Sequence, residues 1–334
     1  MATIKDVAER AQVSISTVSR VLTGSTRVAD VKSKAVRKAM AELNYQPNAV
    51  ARALVGQRTG MLGLMVNSFA DPFFGALMSG VEREARLHGM QVIATEGHHD
   101  RERERDALCS LLARRCDALI IHALSLSDTE LLELIGDNTV VVVNRHIPAI
   151  KDRCLWFDNF QAGYMAARHL LECGHSHIGW IGRNEDIPDN RDRFAGFTAA
   201  IAEHGLMLDD VAVELAPGTA AGGYQAACRL LSKHPKLSAV QAYNDVMAGG
   251  CLRALHERNL RLPEEFSVMG IDDVYLSEYL YPQLTTIRYP IETIGQRAVQ
   301  MICTPCDQLR SLESCFQPTL IERVSVSQFS PGTR

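Results

Sequence analysis

The 334-residue chain has no apolar run near twenty residues and no apolar core at its N-terminus. Neither a membrane-spanning helix nor a secretory leader is expected, so no membrane partner is, and a cytoplasmic location follows. The spacings that cradle phosphates, G-x-G-x-x-G and G-x-x-x-x-G-K-[ST], are missing. So are the zinc-hydrolase spacing H-E-x-x-H and the nucleophile turn G-x-S-x-G, which argues against an enzyme. The nine cysteines are an odd number and scattered, several of them (Cys109, Cys116, Cys173, Cys228, Cys251) inside apolar patterns. They read as reduced core thiols rather than a disulfide framework. Cys303 and Cys306 have C-x-x-C spacing, with Cys315 beyond, but no second pair completes a metal site, and Pro305 marks a helix end there. No metal and no cofactor are expected.

What the chain does have is an uneven distribution of charge. Residues 1–58 hold ten Lys/Arg against four Asp/Glu, or +6, whereas residues 59–334 hold 25 against 35, or −10. A small basic head on an acidic body points the head at a polyanion. Within it, Ile4, Val7, Ala8 and Ala11 form one apolar helical face, and Thr3 is a candidate N-cap. Gln12-Val13-Ser14 interrupts, and a second helix runs over 15–22 with Val18, Val21 and Leu22 inward. Such a pair can be a mere packing hairpin. With this charge it reads as a helix-turn-helix whose second helix enters a major groove. A third helix is predicted over 30–43, burying Val31, Ala35, Met40 and Leu43 and exposing Lys32, Lys34, Arg37 and Lys38. Asn48 can then cap a short helix over 49–54, which is too short to stand alone. Leu54 at its end is a bulky apolar side chain suited to wedging between base steps in a minor groove.

From Met61 the pattern becomes β-α-β-α, with short apolar runs alternating with amphipathic helices. One series covers strands 61–66, 91–95, 118–123 and 140–144. A second covers 178–181, 211–215, 239–243 and 266–272, with strands 285–290 and 318–325 closing the chain. The predicted fold class is α/β: an all-α helix-turn-helix head and a bilobed, doubly wound parallel-sheet body. The expected divisions are a head (1–47), a hinge helix and linker (48–58) and a body (59–334). Within the body, one lobe takes about 59–160 plus 290–320, the other about 161–289 plus 321–334.

Ligands of open α/β sheets gather at the carboxyl ends of the strands. There the chain places Asn67, Phe69, Asp71, Phe73 and Phe74, then His98 and His99, His122, and Asn144-Arg145-His146. The second series adds Arg183 to Asn190, Gly218, Asn244-Asp245 and Asp272-Asp273. Planar polar groups beside aromatics suit a sugar's hydroxyls and its apolar face. The run His98-His99-Asp100 reads as a solvated helix start. Asp272 and Asp273, adjacent on an extended strand, point to opposite sides, so they do not share an acid/base task.

The motifs TIKDVAERAQVSISTVSRVL, LNYQPNAVARAL, DPFFGALMSGVE, RDRFAGFTAAIAEHGL, AYNDVMAGG, VMGIDDV and PQLTTIRYPI resemble the LacI/GalR family of bacterial repressors, in its order, over essentially the whole chain. The resemblance implies a homodimer on palindromic operator DNA and a periplasmic-binding-protein-like body holding a small sugar effector between its lobes. It implies base reading by Ile15, Ser16 and Arg20 and a minor-groove wedge at Leu54. Thr3, Ser14, Thr17, Ser19 and Asn48 complete the DNA contacts. Arg20 suits a guanine fork and Ile15 a thymine methyl, while the hydroxyls suit phosphates. For the effector it implies Asp71, Phe73, His122, Asn144, Arg145, Arg193, Asn244 and Asp272. DPFFGAL, RRCDALIIHA, VNRHIP and LTTIRYPI resemble galactose-responsive members, so galactose is the first effector to expect. The chain departs from them over Met61–Asn67 and Arg183–Asn190. It also has no aromatic near Gly218, where some members carry one, which leaves another sugar or a β-galactoside open. A co-repressor response to a purine is the rival within the class. A sugar-binding transport receptor is the rival outside it. The polar ending SVSQFSPGTR, broken by Pro331 and Gly332, offers no heptad helix for joining dimers.

Overall fold

The computed structural model describes residues 2–22, 28–45, 59–207, 211–304 and 314–329. The chain forms two compact units, Met1–Gly60 and Met61–Arg334. In the first, α1 (Ile4–Arg10) opens on a capping box: the Asp6 amide donates to Thr3 Oγ1 at 3.4 Å and the Thr3 amide to Asp6 Oδ2 at 2.7 Å. Gln12, with φ at 52°, turns the chain into α2 (Ile15–Leu22). Its first turn is held by Ser14, whose Oγ accepts from the Thr17 amide at 3.2 Å. With α3 (Asp30–Glu42), these helices enclose Val7, Ala8, Val18, Val36 and Ala39, and Arg10 bridges α1 to Glu42 of α3.

The predicted inward face of α3 needs correction. Val31 is 80% exposed, and Val36 and Ala39 are the buried positions. Counting back from Val36 at 100° per residue puts Val31 about 140° away, on the solvent side.

In the second unit, one sheet takes β1 (Met61–Val66), β2 (Gln91–Glu96), β3 (Ala118–Ile121), β4 (Val140–Val143), β5 (Cys154–Phe157) and, from late in the chain, β11 (Cys315–Phe316). The other takes β6 (Ile178–Arg183), β7 (Ala212–Ala216), β8 (Ala239–Ala242), β9 (Ser267–Asp272), β10 (Thr285–Arg288) and β12 (Thr319–Ile321). The spatial orders are β11-β5-β4-β3-β1-β2 and β12-β10-β9-β8-β6-β7. Neighbours are parallel except β10 and β12. The two orders are the same, so β1 and β6 stand at equivalent switch points with their carboxyl ends open to a ligand. β5 and β11 went unpredicted. β11 is a two-residue pairing, too short to register, and β5 (CLWF) is as long as β4 (VVVV) but lacks the β-branched residues that mark it.

The helices are α4 (Pro72–Leu87), α5 (Arg101–Ala113), α6 (Asp128–Ile135), α7 (Asn159–Glu172), α8 (Pro188–Glu203), α9 (Ala220–Lys233), α10 (Asp245–His256) and α11 (Ile291–Cys303). α7 and α8 lie nearly backbone to backbone. A Cβ on Gly163 would stand 2.0 Å from the Arg193 carbonyl oxygen, and one on Gly196 2.0 Å from that of Phe160. The chain passes between the sheets three times, after β5, after β10 and between β11 and β12. These crossings are where the two lobes can hinge, with one apolar cluster running from Leu62 and Phe73 of the first to Trp180 and Val268 of the second.

Candidate functional site

On the head, α2 presents Ile15 (44% exposed), Ser16 and Arg20 outward, with Thr17 and Ser19 half-buried beside them. Ser14 Oγ lies 2.8 Å from Ser16 Oγ and 2.9 Å from Thr17 Oγ1, so three hydroxyls cluster at the start of this helix. Lys32, Lys34, Arg37 and Lys38 line the exposed side of α3. Asn48 and Leu54 lie outside the described residues, as does the rest of the predicted hinge.

In the body, a cleft between the sheets is lined from the first lobe by Asp71, Phe73, Phe74, His99, His122 and Asn144, and from the second by Arg183, Asp189, Arg193, Tyr243, Asn244 and Asp272. Each lining residue has a local reason for its place. Asp71 caps α4 through its bond from the Phe73 amide at 2.9 Å. Asn244 caps α10, accepting from the Met247 amide at 2.9 Å. His122 follows β3 and Asn144 follows β4, the latter at a φ of 59°, which asparagine tolerates.

Arg193 is the hub, with only 2% of its surface exposed. Its Nη2 donates to Asp272 Oδ1 at 3.0 Å, its Nε to Asn159 Oδ1 at 2.9 Å and its Nη1 to the Tyr243 carbonyl at 2.8 Å. Its guanidinium also lies 4.7 Å from the centre of the Tyr243 ring. Burial works against this charge, but Asp272, Tyr243 and Asp189 outweigh it and hold Arg193 protonated. Burial pushes the Asp272 carboxyl up, with Arg193 pulling the other way. Asp71 is also raised by burial.

Asn144 joins the lobes. Its Oδ1 accepts from the Tyr289 hydroxyl at 2.9 Å and from Asn159 Nδ2 at 3.3 Å. Its Nδ2 therefore faces His122 Nε2 at 3.4 Å and Asp189 Oδ2 at 3.3 Å. Asp189 Oδ2 also accepts from the Tyr243 hydroxyl at 2.9 Å. Burial opposes the Asp189 charge, and Arg193, Arg183 and that hydroxyl outweigh it, so its carboxyl lies below the usual range. Burial drives both histidines to neutrality, His122 down to about 4 and His99 to about 3, and His99 feels His122 as well. With His122 Nε2 accepting from Asn144, the proton sits on Nδ1.

Three buried polar atoms of this cleft have no hydrogen-bond partner among the described residues: Asp189 Oδ1, His99 Nδ1 and His122 Nδ1. Buried groups are ordinarily paired, so these are places where a ligand's hydroxyls gain bonds at no cost to existing ones. The cavity is about 20 Å³. That is too small for a sugar ring, so entry requires the lobes to part.

Comparison with known proteins agrees with both units. Residues 3–48 match the family of bacterial regulatory proteins, lacI family, and residues 59–317 match the periplasmic binding proteins and sugar binding domain of the LacI family. The chain belongs to the LacI family. It is 40% identical over 330 residues to the transcriptional regulator GalR of Escherichia coli K12, covering 98% of this chain and 96% of that one. It is 38% identical over 330 residues to GalS of Salmonella typhimurium LT2, covering 98% and 97%. The lac repressor dimer bound to operator and the anti-inducer ONPF superposes with a TM-score of 0.86 at 26% identity, covering 98% of this chain and 99% of that one. The head is thus a LacI-family DNA-binding head, the body is periplasmic-binding-protein-like, and the chain is a DNA-binding transcription regulator.

Of the eight effector positions named from sequence, this LacI-family chain brings seven into the cleft. Arg145 is the exception and is corrected here. Its Nη1 donates to the carbonyls of Ala123 at 3.0 Å and Leu126 at 2.7 Å, and its Nη2 to Asp128 at 2.6 Å. It props the segment after β3 from outside the cleft. His99 is a second correction. It lines the cleft with its ring 5.8 Å from that of His122, while Asp100, one residue on, caps α5. Asp189 was named only within the strand-end run Arg183 to Asn190 and not among the effector positions, and Tyr243 and Tyr289 were not selected at all. Asp189 was passed over because residues 183–190 read as a loop, whereas α8 starts at Pro188. Proline at a first helical position was the available signal. Among the described residues, no group of three or more His, Cys, Asp or Glu could hold a metal ion, and no helix is long and apolar enough to cross a membrane.

Proposed function

We propose that this regulator is a cytoplasmic, non-catalytic repressor that leaves its operator when a free hexose, galactose first, enters the cleft. The head (1–47) reads DNA through Ile15, Ser16 and Arg20, and Thr3, Ser14, Thr17, Ser19 and Asn48 meet the backbone. The hinge (48–58), with Leu54 as its wedge, couples head to body (59–334). Asp71, Phe73, His122, Asn144, Arg193, Asn244 and Asp272 hold the sugar, joined by His99 and Asp189. The observation that carries the reading is the set of unpartnered buried atoms contributed by both lobes, Asp189 Oδ1 from one and His99 and His122 Nδ1 from the other. A ligand bonded to both lobes binds one inter-lobe angle better than another, and only such differential affinity shifts an equilibrium.

The test is operator binding by the full chain, titrated with galactose, fucose, other sugars and purines. Galactose or a near relative is expected to weaken binding. If no sugar weakens it and a purine strengthens it, the regulator is a co-repressor type and the inducer reading is wrong.

A further inference from the structure

The cleft's charges are unevenly committed. Arg193 is matched to Asp272 at 3.0 Å. Arg183 is matched to Glu185, Nε to Oε2 at 3.1 Å, and its guanidinium lies 5.4 Å from the centre of the Tyr243 ring. Its other flank is closed by Gly218, where a Cβ would come within 2.5 Å of Arg183 Nε and 2.6 Å of Cζ. The missing side chain at 218 is what lets this guanidinium lie in place, so each of these two cations of the cleft has a carboxylate partner of its own. Asp189 is different. Both bonds it accepts, from Asn144 and Tyr243, end on Oδ2, and Oδ1 has no partner among the described residues. An ionised carboxylate accepts and cannot donate. A sugar's hydroxyls can give a proton to Oδ1 and, elsewhere on the ring, accept from the His122 Nδ1 hydrogen, whereas a phosphoryl group set against Oδ1 brings a charge of the same sign and, as the dianion, no donor.

We infer that Asp189 makes the cleft selective for unphosphorylated sugars, by accepting a hydroxyl hydrogen on Oδ1 and repelling any sugar phosphate. This rests on the sugar reading above and narrows it to a chemical class. It makes the regulator a sensor of free sugar before phosphorylation, so the class of reaction that removes its effector includes phosphoryl transfer to a sugar hydroxyl.

Calorimetric titration of the full-length protein tests this with galactose, galactose 1-phosphate and galactose 6-phosphate, together with glucose and glucose 6-phosphate as a second pair. The free sugar of the responsive pair is expected to bind about 100-fold more tightly than its phosphates, since like-charge juxtaposition costs several kcal/mol. Asp189→Asn is expected to weaken the free sugar roughly 10-fold or more, through the loss of a bond to a charged acceptor, and to narrow the gap to the phosphates. Asp189→Glu keeps the charge and should keep the discrimination even where a longer side chain weakens the sugar. It therefore separates charge from any damage to folding, which thermal melting of both variants reads directly. A phosphate bound as tightly as its free sugar, or a ratio unchanged in Asp189→Asn, overturns the inference and leaves the sugar reading standing. Failure of every sugar to bind, phosphorylated or free, overturns both.

Discussion

Asp245 shows how much one side chain does behind the cleft. It is fully buried and its two oxygens accept from the Val274 amide at 2.9 Å, the Ser277 hydroxyl at 2.6 Å and the Thr286 hydroxyl at 2.5 Å. Burial dominates these bonds and raises its carboxyl to about 7. It ties α10 to the end of β9, where Asp272 meets Arg193. Asp245→Ala strands three buried donors and is expected to cost about 3 kcal/mol or more in urea unfolding. Asp245→Asn keeps an acceptor, and the two hydroxyls can turn, so it should cost about 1 kcal/mol. Equal losses for the two variants would mean that volume rather than hydrogen bonding matters there. Arg193 is subject to the same logic with more at stake. Arg193→Lys cannot reproduce a fork reaching Asp272, Asn159 and the Tyr243 carbonyl at once. It should lose about 3 kcal/mol of stability, in the range for breaking a buried pair. Retained stability would show that a lysine can find equivalent partners.

Elements set where those side chains stand, and α7 and α8 approach closely enough to position one of them. The Gly163 position faces the backbone of Arg193 itself. Gly163→Ala must push α8 outward and displace the guanidinium, so effector affinity should fall by about 10-fold or more, as a misplaced positioning group costs. Ala substituted at the half-buried helical position Gly75, where a Cβ meets nothing within 4 Å, is the control and should leave affinity unchanged. On the recognition helix, Arg20→Ala is expected to relax preference at one base pair per half-site by ~1–3 kcal/mol while leaving non-specific binding nearly unchanged. A uniform loss across sequences would make Arg20 a phosphate contact. At this scale the sequence was readable wherever a periodic signal was long. β1, β4 and α6 lie where their apolar runs put them, and six of the seven cleft residues come at or after strand ends as the carboxyl-end rule requires, whereas Arg193, inside α8, was named from the family resemblance alone. It was unreadable where direction rather than position decides. Arg145 follows Asn144 directly, and nothing in the order of residues says that one turns into the cleft and the other under the 123–128 segment. His99 beside an acidic-basic helix looked solvated because the cover it receives from His122 and Asp189 comes from distant parts of the chain.

The whole molecule carries a pH signature that follows from three neutral histidines. Burial lowers His122 and His175 to about 4 and His99 to about 3, against about 6.5 when unfolded. His175 is held between Ser238 Oγ at 2.9 Å and Ser267 Oγ at 3.0 Å, where the tail from Ser325 to Phe329 lies against the second lobe. Each depressed histidine contributes stability that is present above about 6.5 and lost as pH falls toward its folded value, because the unfolded chain binds the proton first. Asp245 works in the opposite direction. Its raised carboxyl contributes stability that is present below about 4 and lost as pH rises to about 7. Burial raises Asp71, Glu104, Asp192 and Asp272 as well, so they oppose the histidines alongside Asp245, and the histidines' share is read by comparing the thermal midpoints of variants between about pH 6.5 and 4.5. Asp245→Asn removes one opposing group, so its midpoint should lose more on acidification than that of the unaltered chain. His175→Asn keeps a neutral polar side chain that does not titrate and should lose less. Variants that shift the midpoint without changing its slope against pH would show that these groups do not govern the acid response.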